Sequence, residues 1–343
     1  MSFASAIYGC KGLELNDREK RFFREARPWG FILFSRNADN PEQLRRLTAS
    51  LREAVGYDAP ILIDQEGGRV QRLRPPHWRA WPAARRYGEL FERDEGKGLR
   101  AAHLGARLMA SELTDAGINA DCLPVLDVPV PGAHDVIGDR AYSGDPASVA
   151  ALGGVVAEGL LASGVLPVVK HMPGHGRACA DSHKALPVID APLSELEVSD
   201  FAPFHALRSL PLAMTAHAVY AALDPENPAT TSATVIRETI RERFGFEGLL
   251  MSDDISMKAL KGGIGMRSRA ALRAGCDVVL HCNGDMAEME AVAKEAVVLS
   301  GRELARSEAV LALLAQPSEH LDIDSALAEF AEIMGLSGED RWG

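Results

Sequence analysis

Two short segments carry side chains that can perform acid/base or nucleophilic chemistry. The first, KHMPGHGRACADSH, spans residues 170–183 and places a lysine, three histidines and an aspartate in one loop rich in Pro and Gly. The second, MSDDISM, spans residues 251–257, where a hydrophobic run ends in the adjacent carboxylates of Asp253 and Asp254. A carboxylate that follows a buried run needs hydrogen bonds or a chemical role to offset its burial. These two segments are therefore the candidates for an active site.

The residues by themselves allow three functions. A metallohydrolase would draw its ligands from both segments: His171, His175, His183 and Asp253. Against it, neither HxH nor HExxH is present, and the loop histidines need not share a helix face. A glycosidase would use Asp253 as a nucleophile and His183, oriented by Asp181, as general acid and base. A non-catalytic barrel with a satisfied polar rim is the third interpretation, which the usual position of barrel active sites disfavours.

Short apolar runs alternate with helical patterns along the chain, and these are the elements that must position the two segments. The runs lack period-two alternation, as is typical of parallel strands buried on both faces. The predicted strands are 4–8, 30–34, 60–64, 118–122, 165–169, 211–215, 248–252 and 277–281. No GxGxxG follows the first run and no P-loop occurs, so the signatures of an open nucleotide-binding sheet are missing. We predict a (β/α)8 TIM-type barrel, which brings the polar residues at many strand ends to one face.

Capping signals define several of the intervening helices. Asn40 precedes a helix that starts with a proline and stops before Gly56. Ser194 and Glu197 have the spacing of a capping box. The 232–245 segment has apolar residues at i, i+4 spacing and ends in a glycine, which predicts a further helix. Residues from about 285 to 343 form amphipathic patterns that we expect to wrap the barrel, so residues 1–343 are predicted to be a single catalytic domain.

Composition excludes several classes of protein. The 343 residues contain 48 acidic and 37 basic side chains, a net charge of −11 that argues against a nucleic-acid-coating protein. No apolar run reaches the length of a membrane span, and the first residues lack the basic region of a signal peptide. Five scattered cysteines without CxxC spacing favour reduced thiols over a disulfide framework or structural zinc site. We therefore expect a cytoplasmic protein with no membrane or nucleic-acid partner.

The motifs together resemble the family 3 glycoside hydrolases, specifically the single-domain bacterial β-N-acetylglucosaminidases that act on cell-wall fragments. The most specific piece is KHMPGHGRACADSH, which is similar to the family's loop KH-(F/I)-PGHG-x₄-D-(S/T)-H. IDQEGGRVQRL (63–73) and SDDISMKAL (252–260) are the other strong pieces. The resemblance extends from WGFILFSRN (29–37) to AGCD (274–277), which is nearly the whole chain.

The resemblance implies a role for each matching residue. Asp253 is expected to attack the anomeric carbon, with Asp254 as a hydrogen-bonding neighbour, and His183 is expected to be the acid/base that Asp181 orients. The residues expected to hold the sugar are Asp64, Arg72, Arg140, Lys170 and His171. The implied enzyme is a retaining exo-β-N-acetylglucosaminidase that works without metal or organic cofactor. Its partner would be a small carbohydrate substrate, GlcNAc-anhydroMurNAc with or without its peptide, and it would act as a monomer.

Two questions stay open at the level of sequence. A β-glucosidase-like member of the family is an alternative, and so is a phosphorolytic one, because a neutral imidazole does not repel an incoming phosphate. The loop also departs from the family at Arg177, where many relatives carry a small acidic or polar residue. Arg177 is expected to reach either an anionic leaving group or a carboxylate of the protein itself.

Overall fold

The computed structural model describes residues 2–178 and 186–336. The strands are β1 (Ala4–Gly9), β2 (Pro28–Leu33), β3 (Ile61–Ile63), β4 (Gln65–Gly67), β5 (Val70–Gln71), β6 (Ala120–Asp121), β7 (Leu166–Met172), β8 (Val188–Ile189), β9 (Leu212–Thr215), β10 (Val219–Tyr220), β11 (Asp224–Pro228), β12 (Leu249–Asp254) and β13 (Val278–His281). The helices are α1 (Asp17–Ala26), α2 (Pro41–Val55), α3 (Ala84–Arg93), α4 (Glu95–Asp115), α5 (Pro146–Ala162), α6 (Leu193–Val198), α7 (Ala202–Ala206), α8 (Ile264–Ala274), α9 (Met286–Ala293), α10 (Gly301–Leu314) and α11 (Ile323–Met334). A π-helix covers Val235–Arg243, and short 3-10 turns cover Ser35–Asn37, Gly138–Arg140 and Ala229–Thr231.

Parallel strands close into a barrel in the order β1, β2, β3, β6, β7, β9, β12 and β13, and β13 pairs with β1 again. This is the predicted (β/α)8 TIM-type barrel, and each predicted strand has its counterpart. β6 is shorter than the predicted 118–122. Pro124 has no N–H to donate to a ladder, and pairing with β7 resumes only as an isolated bridge between Val125 and Lys170.

Buried apolar side chains form two layers. One layer fills the inside of the barrel with inward-pointing residues such as Ile7, Leu62 and Met251, and the other packs the outer face of the strands against the helices. Helix α10 closes the end of the barrel at which the strands begin. Its Val310 belongs to the inner layer, and its Ser307 accepts a hydrogen bond of 2.8 Å from the Trp29 indole. The opposite end, where the strands finish, stays open.

The helix boundaries test the capping predictions. The Asn40 side chain accepts a hydrogen bond from the Gln43 N–H at the start of α2, and Gly56 ends that helix with φ +75°, so this prediction is confirmed. The predicted capping box of Ser194 and Glu197 is wrong. α6 begins one residue earlier, at Leu193, with no side-chain cap, which leaves Ser194 inside the helix.

The predicted helix of residues 232–245 is present but more widely wound than its i, i+4 spacing suggested. The Phe244 N–H donates to the Thr239 carbonyl, five residues back. Ser232 accepts a hydrogen bond from the Val235 N–H at its start, and Gly245 follows its end with φ +71°.

Three helices occupy the region from residue 285 onward, up to the last described residue. α9 ends at Ala293, and residues 297–299 run beside β1, where the Val297 carbonyl accepts from the Ser5 N–H at 2.8 Å. α11 packs on α4, with Phe330 fully buried against the rings of Trp81 and Tyr87. No helix in the described ranges is long and apolar enough to cross a membrane.

Candidate active site

A cavity of about 240 Å³ opens at the end of the barrel where the strands finish. The predicted nucleophile and all five predicted sugar-binding residues line it together: Asp253, Asp64, Arg72, Arg140, Lys170 and His171. Its apolar floor includes Ile32, Met214 and Leu280, which also belong to the inner layer of the barrel. Asp181 and His183, the predicted acid/base pair, lie outside the described residues.

The β4–β5 hairpin, which directly follows β3, positions three of the charged side chains. Gln65 fixes the hairpin from inside: its amide oxygen accepts from the Arg72 N–H at 2.9 Å, and its own N–H donates to the Asp121 carboxylate at 3.0 Å. Gly67 has φ +85°, and a Cβ there would lie 2.2 Å from the Pro82 carbonyl oxygen. The glycine is therefore required for the hairpin to pack down over the strand ends, where it presents Asp64, Glu66 and Arg72.

A buried network of charges forms one wall of the cavity. The Lys170 ammonium lies 2.9 Å from Asp64 and 2.6 Å from Glu66. Arg140 pairs with both oxygens of Glu66, at 2.7 and 2.8 Å, and Arg72 contacts Asp64 at 2.7 Å. Three cations thus meet two carboxylates, so most of the positive charge of Arg72, Arg140 and Lys170 is neutralised by the protein itself.

The network fixes the protonation states of its members. Burial opposes ionisation of Asp64, but the Lys170 and Arg72 cations hold its pKa below the ordinary value. Burial likewise works against the Glu66 carboxylate, and Arg140 and Lys170 lower its pKa on balance. For Lys170, burial disfavours the ammonium, whereas Asp64 and Glu66 raise its pKa. All five groups are therefore charged at neutral pH and present fixed donors and acceptors to a polar ligand.

Asp127 organises the two histidines of the loop after β7. One of its oxygens lies 2.7 Å from Nδ1 of His171, and the other accepts the backbone N–H of His175 at 2.6 Å. Burial raises the pKa of this carboxyl, but the contact with His171 outweighs burial and lowers the pKa to about 2. Asp127 is consequently ionised, Nδ1 of His171 is the donor, and its Nε2 is left to face the cavity.

His175 is buried beside His171, with the two rings 5.7 Å apart and edge to face. Burial, and then the neighbouring His171, lower its pKa to about 4. It lines the cavity as a neutral ring. Sequence analysis considered this residue only as a possible metal ligand and assigned it no role in the glycosidase.

The two adjacent carboxylates at the end of β12 have different surroundings. Asp254 accepts hydrogen bonds from the Ser256 hydroxyl at 2.5 Å, the Ser256 N–H at 3.0 Å and the Cys282 N–H at 3.2 Å. Its carbonyl also accepts from Nε2 of His217 at 2.9 Å. Asp253 accepts the Asp254 N–H at 2.7 Å. Asp254 and His217 thus anchor the turn that carries Asp253 into the cavity.

Arg177 is bound by carboxylates of the protein, which was one of its two expected partners. Its Nε lies 2.6 Å from Asp200 and its Nη1 lies 2.7 Å from Glu195. These contacts link the loop after β7 to helix α6 and the residues that follow it. An anionic leaving group would have to compete with both carboxylates for this guanidinium.

Sequence reasoning missed three carboxylates that shape the site. Glu66, which was not among the predicted site residues, pairs with Arg140 and Lys170. Asp127 and Asp121 were not singled out, although each lies in an apolar run, where a buried carboxylate requires partners. Burial raises the pKa of Asp121 well above its ordinary value, and one of its oxygens anchors the hairpin by accepting the backbone N–H of Gln65. In the described ranges no three His, Cys, Asp or Glu side chains converge to hold a metal ion.

Comparison with known sequences finds one family over most of the chain. The profile of the glycosyl hydrolase family 3 N-terminal domain matches residues 12–310. A β-hexosaminidase of Alkalilimnicola ehrlichii is 41% identical over 287 residues, which cover 82% of this chain and 82% of the relative. A β-hexosaminidase of Bordetella avium is 39% identical over 276 residues, or 79% of this chain and 78% of the relative.

Solved structures give the same picture. NagZ from Neisseria gonorrhoeae in complex with N-trifluoroacetyl-D-glucosamine superposes with a TM-score of 0.86 at 31% identity, covering 98% of this chain and 99% of that one. A family 3 β-N-acetylglucosaminidase from a Paenibacillus species superposes with a TM-score of 0.86 at 30% identity, over 96% of this chain and 66% of that longer chain. The similarity therefore covers the barrel and the residues around the cavity.

Proposed function

Since the chain belongs to glycosyl hydrolase family 3 and is a β-N-acetylhexosaminidase, we propose that it is a retaining exo-enzyme that removes terminal N-acetylglucosamine from cell-wall muropeptide fragments. The observation that carries the mechanism is the position of Asp253. Its carboxylate ends a barrel strand and lines a polar cavity whose other wall is a network of fixed charges. A carboxylate placed in this way can attack an anomeric carbon.

The proposed reaction has two steps. In the first, Asp253 displaces the leaving group and forms a covalent glycosyl-enzyme while an acid protonates the departing oxygen. In the second, the conjugate base of that acid takes a proton from water, whose oxygen attacks the anomeric carbon and displaces Asp253, so the sugar is released with its β configuration retained. We assign the acid/base role to His183, oriented by Asp181, on the resemblance of the loop motif alone. An imidazole suits this role because its ordinary pKa of about 6.5 needs little tuning near neutral pH.

The charged wall is the proposed sugar site. Asp64 can accept two hydroxyl hydrogen bonds, and Arg72, Arg140 and Lys170 offer only donors. His171 presents Nε2 beside them because Asp127 holds Nδ1. The ion pairs keep these groups in one arrangement before the sugar arrives, which lowers the cost of ordering them on binding.

The substrate class and the setting are also proposals. The Neisseria NagZ structure contains an N-acylated glucosamine, which supports an N-acetylglucosaminyl group in this cavity. We propose that the substrate is GlcNAc-anhydroMurNAc, with or without its peptide, that the enzyme is a monomer and that its location is cytoplasmic. The location is supported by four buried cysteines that are free thiols, Cys10, Cys122, Cys276 and Cys282, as is usual in a reducing compartment.

The proposal is tested with a matched pair of variants. Asp253→Asn should lower kcat on an aryl β-N-acetylglucosaminide by about a thousandfold or more, because an amide cannot serve as nucleophile. Asp254→Asn changes the adjacent, hydrogen-bonded carboxylate and should cost far less. A larger loss for Asp254→Asn would reverse the assignment, and an initial α product by NMR would exclude retention.

A substrate panel separates the alternatives. The aryl N-acetylglucosaminide should be cleaved faster than the matching β-glucoside and β-xyloside, with no sugar 1-phosphate formed when phosphate is added. His183→Ala should slow substrates with poor leaving groups more than activated aryl glycosides. Equal slowing of both would remove His183 from the acid role.

A further inference from the structure

Arg36 is a fixed cation beside the active-site cavity that has no carboxylate partner among the described residues. It follows β2 in the 3-10 turn Ser35–Asn37 and is exposed. Its Nε donates to the Cys10 carbonyl at 3.1 Å, and its Nη2 donates to the Cys282 carbonyl. The guanidinium is thus fastened to the ends of β1 and β13, while Nη1 makes no hydrogen bond within the described ranges.

Arg36 adjoins the cavity through two of its lining residues. Cys282, whose carbonyl it binds, lines the cavity, and so does Phe34. The guanidinium carbon of Arg36 lies 4.8 Å from the centre of the Phe34 ring, and that of Arg72 lies 5.2 Å from the same ring. The Phe34 ring therefore contacts both the Arg72 guanidinium, which belongs to the charged wall of the cavity, and the Arg36 guanidinium, which lies outside that wall.

The cations that sequence analysis singled out at the cavity are already paired with carboxylates. Arg72, Arg140 and Lys170 pair with Asp64 or Glu66, and the sequence's candidate for an anionic leaving group, Arg177, pairs with two carboxylates. The carboxylates of Asp253 and Asp254 add negative charge to the cavity. An anionic leaving group needs an uncompensated donor, and Arg36 is one that is held in place.

We propose that Arg36 forms a carboxylate-binding subsite for the leaving group, in which Phe34 supplies an apolar surface and Nη1 of Arg36 supplies hydrogen bonds. The inference rests on the proposed function, because the sugar that leaves a muropeptide carries a lactyl carboxylate or its peptide. The expected ligand is therefore an anhydromuramic acid or another carboxylate-bearing aglycone. A planar guanidinium with free N–H groups binds a carboxylate with defined geometry.

The test compares one substrate with and without its charge. GlcNAc-anhydroMurNAc with a free lactyl carboxylate and its methyl ester are assayed with the wild-type protein, and the ratio of their kcat/KM values is the readout. The wild type should favour the acid, and rising salt should reduce this preference, because an exposed pair is screened. Arg36→Gln should lower the acid-to-ester ratio about fivefold, and Arg36→Lys should lower it less.

A matched control loses a charge at the same rim. Lys258 follows the cavity-lining Met257, is exposed and has no ion pair in the described ranges, but no hydrogen bonds fix it there. Lys258→Gln should change the ratio less than Arg36→Gln. Equal changes would overturn the subsite in favour of a general field effect.

The possible failures are distinguishable. If Arg36→Gln is unstable, Arg36→Lys takes its place in the comparison with Lys258→Gln, and a wild-type ratio of one at all salt concentrations overturns the subsite. If both disaccharides are cleaved and Arg36→Gln leaves their ratio unchanged, the Arg36 inference fails and the proposed function stands. If neither disaccharide is cleaved while the aryl N-acetylglucosaminide is, the muropeptide substrate is wrong.

Discussion

Among the buried charged residues of the cavity, some are placed to contact the substrate and others only position those that do. A buried ion pair adds little net stability, because desolvation offsets the attraction, but the loss of one partner is costly. Glu66 and Asp127 therefore act through others: Glu66 keeps Lys170 and Arg140 charged and in place, and Asp127 fixes the orientation of His171. Their contribution to binding is preorganisation.

His175 gives this site a dependence on pH. Its pKa is lowered to about 4 in the folded protein, whereas an unfolded histidine titrates at about 6.5. Between these values the unfolded chain binds a proton that the folded chain does not, so stability falls as the pH is lowered through this window. Urea unfolding should show that the wild type loses about 2 kcal/mol more than His175→Asn between pH 7 and pH 5.

The pH range in which His175 affects stability is separate from the range in which the neighbouring buried Asp127 does so. The pKa of Asp127 is lowered to about 2, so its contribution is complete above the ordinary pKa of an aspartate and is lost only at lower pH. His320→Asn is the control, because His320 is exposed. This variant should lose as much free energy of unfolding between pH 7 and pH 5 as the wild type does. A His175→Asn protein with the same pH dependence as the wild type would show that this ring does not titrate as described.

At the level of elements, the sequence identified the strands because each is an apolar run that stands alone between helical patterns. It also placed Asp64, Lys170, His171 and Asp253 together, since the ends of parallel strands in a barrel meet at one face. The roles assigned to these residues stay predictions.

The sequence could not predict the roles of Glu66 and Asp127, because these depend on contacts between segments that are distant in the chain. Glu66 meets Lys170 only when the hairpin folds over β7, and Asp127 meets His171 through irregular pairing beyond β6. The capping box failed at the helix boundary: Ser194 and Glu197 have the right spacing, but the helix begins at Leu193, one residue before Ser194.

The loop after β7 packs closely against the backbone of Val128 and Pro129 because Gly176 has no side chain. A Cβ on Gly176 would lie 2.0 Å from the Val128 carbonyl oxygen and 2.8 Å from the Pro129 nitrogen. In Gly176→Ala this backbone must shift, and with it Asp127 and His175, which flank the contact. We expect a loss of about 1–3 kcal/mol in stability and a lower kcat, measured by urea unfolding and an aryl N-acetylglucosaminide assay.

Gly12→Ala is the control for this substitution, because a Cβ there has no atom within 4 Å. It should change stability by no more than about 0.5 kcal/mol. A Gly176→Ala protein with wild-type stability and kcat would show that the close approach of the two backbones does not position the loop.

At the scale of the whole molecule, the barrel depends on helices that come after it in the chain. α10 seals the inner layer with Val310 and bonds Trp29 through Ser307. Its Arg306 lies 3.0 Å from Asp277, which precedes β13. Because the strands begin at this sealed end, the cavity can open only where they finish, which is where the charged wall lies.

Contacts of α11 also indicate that the barrel and the helices that follow it unfold as one domain. Phe330 of α11 is fully buried between Trp81 and Tyr87, and its ring also faces Gly105 of α4. Phe330→Ala should therefore destabilise the whole protein by about 3–5 kcal/mol. Tryptophan fluorescence and far-ultraviolet circular dichroism should report one coincident transition, shifted equally in both signals.

Leu313→Ala tests whether this effect comes from burial. Leu313 lies on α10 and is 39% exposed, so its truncation removes apolar surface that water already contacts and should cost well under 1 kcal/mol. A Phe330→Ala protein in which an early step affects only the helical signal, while fluorescence follows the wild type, would mean that α11 unfolds separately. The C-terminal helices would then be an accessory layer, and the catalytic domain would end with the barrel.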